Sequence, residues 1–103
     1  MTQRPRKTET APPGRLTLPA VIDLPRASAL KAELDAARGA PLTVEAEAVD
    51  RIGGLGQQVL MAAALSWQAD GLSFAIAGAS EGFAASAAML GLDFTPFLEG
   101  APT

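Results

Sequence analysis

No cysteine, histidine or tyrosine occurs among the 103 residues. The lack of cysteine removes disulfides, thiolate nucleophiles and sulfur-ligated metals. The lack of histidine removes the usual triad base, the usual proton shuttle and the commonest metal ligand. An enzyme made from this chain would have to work with carboxylates, Lys31, arginines or backbone groups. Basic side chains also stop at Arg51, while Asp70, Glu81, Asp93 and Glu99 follow. Arg4, Arg6 and Lys7 against Glu9 give the first 14 residues +2, and the remainder then carries −5 of the net −3. Such a domain repels phosphate backbones, so nucleic-acid binding is not expected. No apolar run approaches membrane-spanning length. The N-terminal stretch has charges but not the apolar centre of a secretory signal. The expectation is a cytoplasmic protein with no direct membrane insertion.

Apolar residues amount to 49% of the chain, and only 5% is aromatic. Alanine dominates the apolar fraction, so each core side chain buries little area and stability is expected to be modest. The length suits one small domain. Residues 1–13 are polar and charged and contain Pro5, Pro12 and Pro13, which suggests a flexible N-terminal arm. Residues 14–103 then form the domain. Leu16, Leu18, Val21 and Ile22 suggest one strand, or two interrupted at Pro19. Asp23 is placed to cap a helix with Pro25 in its first turn, and Ala27, Leu30, Leu34 and Ala37 recur at helical spacing. Gly39 and Pro41 stop it. Residues 42–48 alternate apolar and polar, which predicts a strand ending near Val49. A glycine turn follows, then a helix over 55–69 ended by Asp70 and Gly71. Residues 73–77 read as a strand. Ser80 caps a last helix with an inner stripe of Phe83, Ala87 and Leu90. Residues 94–98 suggest a final edge strand interrupted by Pro96. Alternation of this kind predicts an α/β layer structure.

The turn leading into the second helix is Arg51-Ile52-Gly53-Gly54-Leu55-Gly56-Gln57-Gln58-Val59-Leu60. A P-loop needs a Gly-Lys pair, and none exists. A dinucleotide fingerprint needs a third glycine where Val59 stands, and the chain is too short for the full fold. More simply, the glycines allow a tight turn with positive φ. On a helical wheel Leu55, Val59, Ala63 and Trp67 share the side expected to face the sheet, with Leu60 at its edge. Met61 and Leu65 fall roughly opposite, among Gln57, Gln58 and Gln68. That pair is either a protein contact or ordinary scattered surface. Glu45 and Glu47 face one way on their strand, as a solvated face would. Ser66, Ser73, Ser80 and Ser86 have no histidine base, so nucleophilic catalysis is not expected.

The same turn resembles the signature loop of the STAS domain family, the fold of bacterial anti-sigma factor antagonists. Its usual Asp-Ser-Ser/Ala/Thr-Gly-Leu pattern is met here by a stretch in which Gly53 takes the Asp position, Gly54 that of the phosphorylatable Ser/Thr and Gly56 that of the family glycine. Ile22-Asp23, Asp70-Gly71 before Leu72-Ser73-Phe74-Ala75-Ile76, and Met89-Leu90-Gly91-Leu92 resemble further family features in the same order. The resemblance spans roughly residues 15–98. It implies a STAS-type mixed sheet of about four or five strands with helices packed on it, and a non-enzymatic interaction module without cofactor or metal. In the family, phosphorylation of the loop adds roughly −1.5 to −2 charge and ends partner binding; Gly54 has no hydroxyl to accept it. The resemblance therefore implies a divergent member that binds a regulatory protein, such as an anti-sigma kinase-like factor or a histidine-kinase signalling component, without that switch. Partner switching and chemotaxis are the implied settings. The contact residues it points to are Arg51, Gly53, Gly54, Gly56, Gln57, Gln58, Met61 and Leu65. Two alternatives are an accessory subunit of a lipid-transport ATPase complex and a small-ligand sensor at the glycine turn.

Overall fold

The computed structural model describes residues 14–99, so the expected arm 1–13 lies outside the described residues. The chain runs β1 (Arg15–Thr17), β2 (Val21–Ile22), α1 (Leu24–Ala36), β3 (Leu42–Glu45), β4 (Arg51–Ile52), α2 (Gly54–Ala69), β5 (Phe74–Ala77) and α3 (Glu81–Met89), with a final 3-10 turn at Thr95–Phe97. This is the α/β architecture expected of a STAS-type fold. The strands make a three-stranded sheet in the order β1-β3-β5 and a two-stranded one of β2 with β4. Each pair among the described residues is parallel, where a mixed sheet was expected, because a helical crossover separates the two strands of each pair.

Register explains which face is buried. Leu16 aligns with Val44, and Val44 with Ile76, while Leu42 aligns with Phe74. Period two puts these five on one face, where all but the half-buried Leu16 are buried. The other face carries Arg15, Thr17 and Glu45. The Arg15 guanidinium meets the Glu45 carboxylate at 2.7 Å, and the Thr17 hydroxyl donates to it at 2.8 Å. The Arg15 and then the Thr17 hydrogen bonds hold the Glu45 pKa below its ordinary 4.5. A depressed carboxylate pKa gives stability that is present above the unfolded value and lost as pH falls through the folded one. Stability should therefore drop as pH falls below about 4.5, and Glu45→Gln should flatten that drop in urea melts at pH 3 to 6.

Local signals set the helix ends. The Asp23 carboxylate accepts from the Arg26 amide at 3.1 Å, and the Ser80 hydroxyl from the Phe83 amide at 3.1 Å, both as expected of caps. α2 ends at Ala69 as Asp70 and Gly71 predicted, with Gly71 at φ 73°. Trp67 is buried, and its indole N-H donates to the Ala40 carbonyl at 2.7 Å. Arg38 lies over the Trp67 ring and pairs with Asp70 at 2.8 Å. The Phe74 and Phe97 rings extend this cluster.

Three expectations fail locally. The strand predicted over 42–48 stops at Glu45, and the chain then re-pairs as β4, two residues long and too short to show a period. The final strand is a 3-10 turn, and only Leu98 bridges to Ile76. Pro96 supplies the reason, since it has no N-H for a ladder. Leu90, placed in the inner stripe of α3, is exposed just beyond the helix end.

Candidate functional site

The site is assembled by the packing of α3 along β4. Four helical residues rise about 6.0 Å and two strand residues about 6.6 Å, so helix and extended chain stay in step. Gly82 lies against the Asp50 carbonyl. One turn on, the Ser86 hydroxyl donates to the Ile52 carbonyl at 2.8 Å. A further turn on, Leu90 sits 3.9 Å from where a Gly54 Cβ would stand. The Ser80 hydroxyl donates to the Val49 carbonyl at the start of this row. The signature loop is thus held along its length by α3, and it enters α2 at Gly54 through an N-cap, Gly53, that has no side-chain hydrogen bond.

The three loop glycines do different work, and none has positive φ. The tight-turn reading is therefore wrong. Gly53 is extended at φ −80° and ψ 173°. Gly53 and Gly54 are exposed and have room for a side chain, the nearest atoms to a built Cβ being at 3.8 and 3.9 Å. Gly56 is buried, and a Cβ there would come within 2.9 Å of Ile22 and 3.0 Å of Ile52. It is glycine so that α2 can press onto the β2–β4 pair.

The sequence brought Arg51, Gly53, Gly54, Gly56, Gln57, Gln58, Met61 and Leu65 forward as one surface, and the structure divides them. Arg51, Gly53, Gly54, Gln58 and Leu65 are exposed. Gly56 and Gln57 are buried, and Met61 is half-buried against the core. The correction follows from the phase of α2. Its inner face centres on Gly56, Gln57, Leu60, Ala63, Ala64 and Trp67, with Leu60 fully buried rather than at an edge, and Leu55 exposed. Gln57 is 0% exposed. Its amide donates to the Phe83 carbonyl at 3.0 Å and ties α2 to α3, while its Oε1 has no protein partner. Met61→Asp should accordingly lower stability by about 1–3 kcal/mol, whereas Leu65→Asp should change it by less than about 1 kcal/mol; thermal melts of the two variants check the phase directly.

Sequence reasoning missed Val21, Met89 and Leu90. They border an open groove of about 780 Å³ beside the loop, floored by Ile52, Gly53 and Gly54. Met89 is 87% exposed. The available signal was Met89-Leu90 beyond the last periodic alanine of α3, but its position beside the loop depends on α3 following β4. A second cleft, about 430 Å³, lies between α1 and α2 beside Leu55 and Val59. No cluster of potential metal ligands occurs among the described residues. No described helix is long and apolar enough to cross a membrane.

A family model described as "Mlab, STAS domain" matches residues 6–99. No curated protein and no solved structure matches the chain.

Proposed function

We propose a function for this chain from one premise: it belongs to the STAS domain family. STAS domains are generally non-catalytic binding modules. The chain acts as a cytoplasmic, non-enzymatic docking module, like an anti-sigma factor antagonist, for a regulatory protein in bacterial signalling. That partner is an anti-sigma kinase-like factor or a histidine-kinase signalling component, engaged in partner switching or chemotaxis. Loop phosphorylation does not end the contact. The observation that carries this reading is an accessible loop without a hydroxyl: Gly53 and Gly54 are exposed, have room for side chains, and stand where the resemblance puts the family's Asp and phosphorylatable Ser/Thr. The contact face combines Arg51, Gly53, Gly54, Gln58 and Leu65.

Two measurements test it. Incubation with the partner kinase and ATP should leave the intact mass unchanged, and one added phosphate would overturn the unswitched reading. Leu65→Asp should reduce capture of the native partner at least tenfold without lowering the melting temperature by more than a few degrees. Undiminished capture would remove the α2 face from the contact.

A second reading is a fixed accessory subunit of a larger assembly such as a lipid-transport ATPase complex. The strong exposure of Met89 and Leu65 favours it, because apolar side chains suit a surface that stays covered. Co-purification of transporter subunits under stringent washing would select it.

A further inference from the structure

We infer that the groove between Val21 and α3 receives an apolar segment of the partner flanked by basic side chains. The inference rests on the docking reading above and specifies the partner's chemistry.

Three exposed large apolar side chains, Val21, Met89 and Leu90, border one groove, and its floor includes the bare backbone of Gly53 and Gly54. Side-chain-free backbone lets a partner's atoms come close, and apolar walls give area to bury. Charge then selects among apolar partners. Asp50 precedes β4 and Asp23 follows β2, so the paired strands hold a carboxylate at each end of the groove. Arg51 is the one cation among the lining residues. Away from the groove, Arg15, Lys31 and Arg38 are paired with Glu45, Asp35 and Asp70. The α1–α2 cleft differs in this respect: its Lys31 and Asp35 satisfy one another. The groove therefore favours basic flanks and disfavours acidic ones or an anionic surface.

The test uses the full chain, ¹⁵N-labelled, and two short amphipathic peptides with the same leucines, one carrying lysine and the other glutamate. The lysine peptide should shift the amides of Gly53, Gly54, Ala85, Met89 and Leu90, and the glutamate peptide should not. Asp23→Asn with Asp50→Asn should weaken the lysine peptide about tenfold, since asparagine keeps the α1 cap. Met89→Ser, which removes apolar area without adding charge, should abolish the shifts without unfolding the domain. Equal binding of both peptides, shifts confined to the α1–α2 cleft, or no binding would each overturn the inference. So would a dimer in sedimentation that Met89→Ser dissociates, which would assign the groove to a second copy. It would equally fall if Arg4→Ser, Arg6→Ser and Lys7→Ser together shifted the groove amides without peptide, which would assign it to residues 1–13. If Leu65→Asp still abolishes native capture while neither peptide touches the groove, docking stands and this assignment alone fails.

Discussion

Gly82→Ala should cost about 3 kcal/mol of stability and lower the melting temperature by more than about 10 °C. A Cβ at this position would stand 3.0 Å from the Asp50 carbonyl carbon and nearer still to its oxygen. Both are backbone atoms, so no rotamer change relieves the clash, and α3 must move away from β4. The move strains the Ser86 bond to the Ile52 carbonyl and the Gln57 bond to the Phe83 carbonyl, so one methyl group loosens the frame around the signature loop. Alanine returns only part of the roughly 1 kcal/mol of interior helix propensity, since Gly82 stands in the first turn of α3. Gly54→Ala is the control. It has room and stands in the first turn of α2, so it should be neutral or slightly stabilising. If both variants melt together with the parent chain, α3 does not follow β4 as described.

Much of the fold was legible because it is written in local chemistry. Asp23 and Ser80 cap helices because their side-chain oxygens reach amides three residues on. Gly71 ends α2 because it takes a positive φ that other residues resist. The ordered STAS features were legible for the same reason, each being a short contiguous run. The phase of α2 was not legible. Leu55, Val59, Leu60, Met61, Ala62, Ala63, Ala64 and Leu65 put apolar atoms on almost every side of the helix, so the wheel has little contrast. Gln57 then misleads by being polar and buried, a choice that makes sense only once the Phe83 carbonyl is beside it. The glycines were legible as a group and not singly. Gly56 is dictated by Ile22, which lies more than thirty residues earlier, and Gly54 by nothing in the packing. For the candidate surface, the sequence pointed to Arg51, Gly53, Gly54, Gln58 and Leu65; it did not point to Val21, Met89 and Leu90, which only tertiary contacts bring beside the loop.

Trp67→Ala should have the largest effect of any single change, about 3–5 kcal/mol. The side chain is 1% exposed, so its removal leaves a cavity as well as losing transfer energy. It also loses the indole bond to the Ala40 carbonyl at 2.7 Å and the ring on which Arg38 lies. Trp67→Phe separates these contributions. It keeps most of the volume and the contact with Phe74 but leaves the Ala40 carbonyl without its donor, and should cost about 1–3 kcal/mol. The Gly82 variant has a functional consequence at the loop that neither Trp67 loss shares. Trp67 holds the C-terminal end of α2, whereas Gly82 holds the loop at its start. In Trp67→Phe, the amide shifts of Gly53 and Gly54 should stay close to those of the parent chain; in Gly82→Ala they should move. A Trp67→Phe spectrum in which the loop amides move as far as in Gly82→Ala would mean that α2 shifts as one rigid rod, and that the loop is positioned by the core at least as much as by its contact with α3.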